Sequence, residues 1–235
     1  MSRFDELRER ACEANKAIVA AGLVVLTFGN VSVADRDEGV MAIKPSGVSY
    51  DALDPRSMVV VDLDTWEVVE GELRPSSDTP THLVLYREFD SIAGIVHTHS
   101  PSATAWAQAG RDLPCFGTTH ADHFHGPVPA TRPLVRREIE TRYEERTGDV
   151  IIETFRDRAL DPLDTPAVLV VSHGPFAWAR EVEGAVENAV ALEAVASMAL
   201  DTLALARGTK SVSDDLLDRH FSRKHGASAY YGQVD

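Results

Sequence analysis

Two histidines separated by one residue, His97 and His99, stand at the end of an apolar run. In a β-strand, residues i and i+2 point to the same face, so both imidazoles can reach one cation. A third histidine, His173, follows a second apolar run and directly precedes a Gly-Pro pair. Three imidazoles and one carboxylate would form a zinc-type site. The spacing favours a metal centre at strand ends; the alternative is two surface histidines and a structural His173.

A second group of histidines lies in the segment 120–125, which reads His-Ala-Asp-His-Phe-His. If this segment is helical, His120 and His123 share one face, whereas His125 does not. The segment is therefore an alternative metal site. Six of the nine histidines lie between His82 and His125, and such clustering is typical of metal or acid–base chemistry.

Length and charge limit the classes of protein that remain. The chain has 235 residues, 44% of them hydrophobic, which suits one globular domain with a full core. It carries 23 Lys and Arg against 37 Asp and Glu, a formal net charge of −14. Such a charge repels phosphodiester backbones and anionic lipid, so we expect neither a nucleic-acid nor a membrane partner.

The N-terminal segment and the cysteines lead us to expect a soluble cytoplasmic protein. The sequence opens Met-Ser-Arg-Phe-Asp-Glu, without the apolar segment of a secretory signal. We expect no apolar run near the ~18 residues needed to span a bilayer. Two distant cysteines, Cys12 and Cys115, form neither a disulfide framework nor a cysteine-based zinc site.

Hydrophobic periodicity, together with residues that interrupt helices and strands, predicts the elements that must position these histidines. Helical spacing begins near Phe4 and ends at Gly22. Further helices are predicted over 78–89, 100–110, 181–207 and 214–224, and strands over 31–34, 40–44, 58–63, 66–69, 92–99, 150–152 and 168–172. Consecutive hairpins flanked by helices predict one α/β domain with a mostly antiparallel sheet.

Seven motifs occur in a fixed order along nearly the whole chain. They are Thr27-Phe-Gly-Asn-Val-Ser32, Ile43-Lys-Pro-Ser-Gly47, Pro75-Ser-Ser-Asp-Thr-Pro80-Thr-His82, Gly94-Ile-Val-His-Thr-His-Ser100, Gly117-Thr-Thr-His-Ala-Asp122, Ser172-His-Gly-Pro-Phe-Ala-Trp178 and Lys224-His-Gly-Ala-Ser-Ala-Tyr-Tyr-Gly-Gln233. Together they resemble the L-ribulose-5-phosphate 4-epimerases, a branch of the class II aldolase superfamily. The tyrosine-containing tail is typical of that branch.

The resemblance implies an architecture and an assembly. It implies a three-layer α/β/α sandwich on a mixed, mostly antiparallel sheet, formed by a single domain over residues 1–235. It also implies a homotetramer with active sites between subunits. A catalytic zinc ion, for which manganese can substitute, would be held by Asp78, His97, His99 and His173.

The resemblance also assigns roles to other residues. Asp122 and Tyr231 would be the acid–base pair, with Tyr231 acting in the site of the adjacent subunit. The phosphate end of a small ketopentose would bind Gly29, Asn30, Lys44, Ser46, Gly47, Ser76 and Ser77. Thr118, Glu144 and His220 would also line the site. Read alone, Pro-Ser-Gly and Pro-Ser-Ser are ordinary turns.

The implied reaction avoids a difficult proton removal. Carbon 4 of a 2-keto sugar is not next to the carbonyl, so its proton is not acidic. Cleavage between carbons 3 and 4 instead gives an enediolate, whose charge a divalent cation can stabilise, and an aldehyde that can rotate and be attacked on its other face. The two faces need two proton-transfer groups, a division that suits Asp122 and Tyr231.

Two other functions fit the same resemblance. One is a zinc-dependent sugar-phosphate aldolase similar to fuculose-phosphate aldolase, which releases its fragments. Asp78 favours the epimerase, because those aldolases place a glutamate there and lack the tyrosine tail. The other is a non-catalytic interaction module like the adducin head, which would require lost metal ligands. The chain departs from the epimerase pattern at His123 and His125, where relatives carry tyrosines.

Overall fold

The structure is a computed structural model that describes residues 2–226 and 229–230. Its strands are β1 (Asn30–Asp35), β2 (Val40–Ile43), β3 (Val59–Asp62), β4 (Val68–Glu70), β5 (Gly94–His97), β6 (Ala167–Leu169) and β7 (Pro175–Ala179). Its α-helices are α1 (Asp5–Ala20), α2 (Thr79–Glu88), α3 (Pro101–Ala109), α4 (Thr118–Ala121), α5 (Arg136–Glu140), α6 (Tyr143–Asp157), α7 (Val182–Leu205) and α8 (Asp214–His225).

All seven strands form one sheet in the order β4-β3-β2-β1-β5-β7-β6. Every ladder between neighbouring strands is antiparallel. Within the described ranges, parallel pairing is limited to an isolated bridge between Ala130 and Leu169. The predicted α/β class is thus confirmed, with an almost purely antiparallel sheet.

Apolar side chains point alternately to the two faces of this sheet, and both faces are buried. In β5, Val96 belongs to the apolar cluster that includes α1, α3 and α7, whereas Ile95 belongs to the cluster that includes α2 and α6. Successive strand residues point to opposite faces, so each face needs its own helical cover. The two clusters on either side of the sheet give the predicted three layers.

The helix α7 departs from the expectation that no apolar run is long enough to cross a membrane. It has 24 residues and, by length and composition alone, could span one. It packs instead on β5 and β7 and buries a stripe of mostly small residues, from Val182 to Ala199. A core helix of a soluble protein passes the same test, so this helix is weak evidence for a membrane span.

One predicted strand is wrong. Residues 150–152 lie in the middle of α6, where all three side chains are buried. Three apolar residues in a row do not distinguish a strand from the buried stripe of a helix. The flanking residues Thr147, Thr154 and Phe155 are also buried, and their spacing shows the helical period.

A second difference concerns the strand predicted over 168–172. The strand β6 ends at Leu169, and the chain then turns into β7, a strand that lies outside every predicted range. The first residue of β7 is Pro175, and proline is tolerated at the start of a strand. The turn that separates the two strands carries His173.

The packing of α6 on α2 depends on a glycine. A Cβ atom added to Gly148 would lie 2.6 Å from the Cβ of Val84, a fully buried residue of α2. Real Cβ atoms do not approach so closely, so any side chain at position 148 must push the two helices apart. The separation of these helices matters because each one begins at the cavity described below.

We therefore expect Gly148→Ala to destabilise the fold by about 1–3 kcal/mol through overpacking. The matched control is Gly208→Ala, because a Cβ at Gly208 meets nothing within 4 Å. Urea unfolding followed by circular dichroism measures both free energies of unfolding. Equal values for Gly148→Ala and the wild-type protein would contradict the close helix contact.

Candidate metal centre and active site

His97 is the last residue of β5 and is almost completely buried. Its neighbours across the sheet are Asn30 in β1 and Phe176 in β7. The His97 ring stacks on Phe176 at a centroid distance of 4.1 Å, and its Nδ1 lies 2.9 Å from the carbonyl oxygen of Pro175. A carbonyl only accepts, so Nδ1 carries the proton and Nε2 is left free to bind a metal.

The strand ends at His97, so His99 lies just beyond it and not on the strand as predicted. The two imidazoles nevertheless converge, with 3.2 Å between their Nε2 atoms. This distance fits a hydrogen bond in which Nε2 of His99 donates to the lone pair of His97, and it also fits two nitrogens that bind one cation.

The turn between β6 and β7 brings His173 to the same point. Its ring centroid lies 4.8 Å from that of His97 and 5.1 Å from that of His99. The turn is tight, because a Cβ at Gly174 would lie 2.7 Å from the carbonyl oxygen of Thr98. One ligand atom from each histidine lies within 4.8 Å of the others.

Asp78 brings a carboxylate to this group. It is the N-cap residue of α2, and its Oδ2 lies 4.0 Å from Nε2 of His97. The side-chain amide of Asn30 donates a hydrogen bond of 2.7 Å to the same oxygen. Burial alone would raise the pKa of Asp78, but the neighbouring imidazoles and this hydrogen bond outweigh it and lower the pKa.

Burial keeps the ligand candidates in the form that binds metals. It lowers the pKa of His173 to about 3, reinforced by the charge that His97 can carry. It also lowers the pKa of His99. Neutral imidazole is the metal ligand, so neither side chain must lose a proton to bind an ion at neutral pH.

Three imidazoles and one carboxylate match the donors that zinc prefers. A further observation fits a ligand: Nδ1 of His173 is buried and has no hydrogen-bond partner among the described residues. Buried polar atoms in native structures nearly always have a partner. The residues present therefore fit a divalent ion.

The alternative metal site in the segment 120–125 does not form in the described part of the chain. The Nε2 atom of His120 lies 2.8 Å from the carbonyl oxygen of Gly126. His125 lies 2.7 Å from a carboxylate oxygen of Asp218, and His123 lies 3.2 Å from Nζ of Lys224. The three side chains contact different partners and do not converge.

A cavity of about 270 Å³ surrounds the metal-ligand candidates. It also contains every residue that the resemblance assigns to the phosphate, together with Glu144. Its lining is Thr27, Phe28, Gly29, Asn30, Lys44, Pro45, Ser46, Gly47, Ser76, Ser77, Asp78, His97, His99, Tyr143, Glu144 and His173. A larger cavity of about 510 Å³ beside α8 contains none of the predicted site residues that the structure describes, so size alone does not identify the site.

Lys44 is the cation of this cavity and is only 2% exposed. Its Nζ lies 4.8 Å from the ring centroid of Tyr50 and 3.3 Å from the carbonyl oxygen of Pro45, and no carboxylate pairs with it among the described residues. Burial lowers its pKa. A buried cation without an anionic partner is costly, so this position favours an anionic ligand.

Backbone hydrogen bonds hold the two serine loops beside Lys44. The N–H of Ser76 donates to the carbonyl of Lys44, and the N–H of Ser46 donates to that of Arg74, both at 2.9 Å. Two pieces of chain distant in sequence thus form one wall. Asn30 also lines the cavity, and its side-chain amide donates to Asp78.

Backbone strain is concentrated around the cavity. Five residues other than glycine have positive φ in the described chain, and three of them directly precede a lining residue. Leu26 precedes Thr27 with φ 55°, and Ser172 precedes His173 with φ 63°. Arg142, with φ 53°, precedes Tyr143. Such conformations cluster at functional sites.

Asp122 lies outside this cavity, at the contact between α4 and α8. Its carboxylate accepts a hydrogen bond of 2.9 Å from His220 and two of 3.0 and 2.7 Å from Arg223. Burial would raise the pKa of Asp122, but Arg223 and His220 outweigh it and lower the pKa, so Asp122 is ionised. Thr118 begins α4, while Tyr231 lies outside the described residues.

The predicted site residues that the structure describes therefore form two groups within one chain. The metal and phosphate candidates share the cavity, whereas Asp122, Thr118 and His220 belong to the pair α4 and α8. Sequence reasoning missed Tyr143 and Arg223. Arg223 could have been predicted, because His220 was already assigned to the site and residues three apart lie on the same face of a helix. No sequence signal marked Tyr143.

Three histidines that could hold a metal ion lie at the end of a central strand, in a three-layer α/β sandwich. The chain belongs to the class II aldolase and adducin N-terminal domain family, whose profile matches residues 9–200.

Curated relatives and solved structures agree with this class. L-ribulose-5-phosphate 4-epimerase UlaF from Salmonella paratyphi A and its counterpart from Salmonella typhi are each 50% identical over 230 residues, covering 98% of this chain and 100% of the relative. An L-fuculose 1-phosphate aldolase structure has a TM-score of 0.78 at 25% identity, covering 95% of this chain and 97% of its own. YgbL from Escherichia coli shares the fold, with a TM-score of 0.73 at 24% identity, covering 93% and 99%.

The metal centre makes a direct prediction about ion content. The wild-type protein should retain about one zinc ion per chain after dialysis, and the double variant His97→Ala, His99→Ala should retain almost none because half of the donors are gone. The matched control is His123→Asn, His125→Asn, which removes two imidazoles from the alternative segment. Metal analysis by mass spectrometry measures both. Full zinc in the first variant, or loss of zinc in the control, would contradict this centre.

Proposed function

We propose that this chain is a metal-dependent isomerase that interconverts L-ribulose 5-phosphate and D-xylulose 5-phosphate. The observation that carries this proposal is the 50% identity to L-ribulose-5-phosphate 4-epimerase UlaF over the full length of that protein. The cavity supports it, because it contains four metal-ligand candidates and a buried lysine suited to a phosphate.

The proposed reaction inverts carbon 4 by breaking and remaking the bond between carbons 3 and 4. Cleavage gives the enediolate of dihydroxyacetone and glycolaldehyde phosphate. The aldehyde rotates, and attack on its other face gives the epimer. The protein must therefore hold the phosphate, accept and return protons on two faces, and keep both fragments from escaping.

Asp78, His97, His99 and His173 would hold a zinc ion, with manganese as a substitute. When bound, the ion supplies Lewis-acid stabilisation of the negative charge that develops on the substrate oxygens. The protein contributes the orientation of the ligands. Pro175 fixes the tautomer of His97, and Asn30 fixes the carboxylate of Asp78.

The other end of the cavity would bind the phosphate. Lys44 supplies the charge, while Ser46, Gly47, Ser76 and Ser77 supply hydroxyl and backbone donors. Gly29 lines the same cavity, where a Cβ would lie 2.8 Å from the carbonyl oxygen of His97. Glycine therefore leaves room that no other residue would leave.

The resemblance assigns only Tyr231 to a neighbouring subunit, but the position of Asp122 outside the cavity changes that expectation. We propose that Asp122 and Tyr231 are both supplied by the same neighbouring subunit and transfer the protons. Asp122 does not line the metal cavity of its own chain. Its carboxylate is hydrogen-bonded to α8, and Tyr231 comes shortly after α8 in the sequence. We infer a homotetramer in which the α4 and α8 pair of one subunit completes the cavity of the next. The ionised Asp122 acts as base and the phenol as acid, and the roles reverse in the opposite direction.

A second candidate is a zinc-dependent aldolase that releases its two fragments. The similarity to the L-fuculose 1-phosphate aldolase structure favours this candidate. A non-catalytic module fits less well, because all four metal-ligand candidates are present. In either catalytic case we propose one catalytic domain that acts in the cytoplasm on a sugar phosphate.

The identity of the product tests the proposal. Zinc-loaded protein incubated with L-ribulose 5-phosphate should form D-xylulose 5-phosphate until the two reach equilibrium, as followed by carbon NMR. Protein dialysed against a chelator is the control and should form none. Accumulation of glycolaldehyde phosphate would indicate the aldolase instead, and unchanged substrate would contradict both.

Subunit mixing tests the shared site. His99→Asn damages the metal half and Asp122→Asn the proton-transfer half, so each homotetramer should be inactive. Hybrids formed by refolding equal amounts together should recover about a quarter of wild-type activity, because about a quarter of sites combine two intact halves. Mixing Asp122→Asn with Tyr231→Phe is the control and should recover nothing, because both residues belong to the same half. Recovery in the control pair but not in the test pair would contradict this arrangement.

A further inference from the structure

Tyr50 is a buried tyrosine to which the proposed reaction gives no role. It begins a short 3-10 helix, Tyr50–Ala52, three residues after the glycine of Ile43-Lys-Pro-Ser-Gly47. Its side chain belongs to the apolar cluster that includes α1, α3 and α7, and it does not line the cavity of the metal centre. It nevertheless contacts two residues at the phosphate end of that cavity, Gly29 and Lys44.

The hydroxyl group of Tyr50 makes the first contact. It donates a hydrogen bond of 2.8 Å to the carbonyl oxygen of Gly29. Burial raises the pKa of Tyr50, so the phenol keeps the proton that this bond needs. Gly29 has φ 98°, a conformation that glycine adopts readily, and glycine has more backbone freedom than any other residue. The hydrogen bond therefore fixes a carbonyl oxygen that would repel an anion if it turned into the cavity.

The ring of Tyr50 makes the second contact. Nζ of Lys44 lies over this ring, 4.8 Å from its centroid, within the ~6 Å over which an aromatic ring attracts a cation. Burial lowers the pKa of Lys44, because the charged form loses its water. The face of an aromatic ring carries partial negative charge, which favours the charged form of the lysine. The ring thus helps to keep Lys44 cationic.

A neutral ring suits this position better than a carboxylate would. A carboxylate beside Lys44 would stabilise the ammonium group more strongly, but it would also repel a phosphate and compete with it for the lysine. The ring stabilises the cation and leaves it available to an anionic ligand. Tyr50 also links two segments that are distant in sequence, since Gly29 precedes β1 and Lys44 follows β2.

We propose that Tyr50 is a positioning residue for the phosphate end of the cavity: its ring supports the ammonium group of Lys44, and its hydroxyl fixes the carbonyl group of Gly29. The inference rests on the proposed function, in which both residues bind the phosphate. Tyr50 acts through them and does not touch the substrate. The phosphate is remote from the bond that breaks, so its contacts are alike in the ground state and the transition state, and their loss weakens substrate binding more than it slows the reaction.

Steady-state kinetics with L-ribulose 5-phosphate separate the two contacts. Tyr50→Phe keeps the ring and loses the hydroxyl, so it should raise KM about fivefold, the effect of one hydrogen bond. Tyr50→Leu loses both contacts and should raise KM by about a further tenfold. Neither variant should change kcat by more than about twofold. The matched control is Tyr86→Phe, because Tyr86 is another buried tyrosine but belongs to the apolar cluster on the opposite face of the sheet. It should leave KM unchanged.

A double-mutant cycle tests whether Tyr50 acts through Lys44. In the Lys44→Met background, Tyr50→Leu should lower kcat/KM far less than in the wild-type background, because the ammonium group that the ring supports is gone. The remaining effect should equal that of Tyr50→Phe, which reports the hydrogen bond to Gly29. Equal effects of Tyr50→Leu in both backgrounds would overturn the inference. A fall in kcat at unchanged KM would overturn it as well, because a purely structural role has that effect.

Binding of inorganic phosphate tests the same role without turnover. In a phosphorus-31 NMR titration of the zinc-loaded protein, Tyr50→Leu should bind phosphate about tenfold more weakly than the wild type, or weaker still. Wild-type affinity in this variant would overturn the inference. A wild-type protein that binds phosphate through Tyr50 but does not convert L-ribulose 5-phosphate would refute the proposed function and leave the role of Tyr50 intact. If Tyr50→Leu does not fold, Tyr50→Phe decides, and wild-type values of its KM and phosphate affinity overturn the inference.

Discussion

The site depends on one constraint: several imidazoles must be neutral, fixed and close together at one end of the sheet. Burial provides the neutrality, because it lowers the pKa values of His99 and His173. The last residue of β5 provides the fixed point, since His97 is bonded to Pro175 and stacked on Phe176. The fold around this point serves both conditions, with helices on each face of the sheet to exclude water.

The second constraint is charge. A chain with a net charge of −14 repels anions in general, yet the proposed substrate carries a phosphate. Within the cavity, however, Lys44 offers a positive charge to an anion, because it is buried there without a carboxylate partner in the described chain. Asp122 differs from Lys44, because its negative charge is paired with Arg223 and His220, which keep it ionised outside the metal cavity. We propose that assembly brings the two arrangements together.

Much of this could be predicted from the sequence, and the exceptions have physical reasons. The motif His97-Thr-His99 predicted that two imidazoles lie together, and the structure brings them within contact although His99 lies beyond the strand end. The strand predicted at 150–152 was wrong, because the buried face of a helix can carry three apolar residues in a row. The strand β7 was missed, because it begins at Pro175 immediately after a turn. The separation of Asp122 from the cavity depends on tertiary packing that no local pattern records.

The most direct test of this account is a crystal structure of the zinc-loaded assembly with anomalous data collected at the zinc edge. We expect one strong peak per subunit, bound by His97, His99, His173 and Asp78, with Asp122 of a neighbouring subunit facing it across the cavity. A peak at other residues would contradict the metal centre. A correct peak with no neighbouring Asp122 nearby would contradict the shared active site.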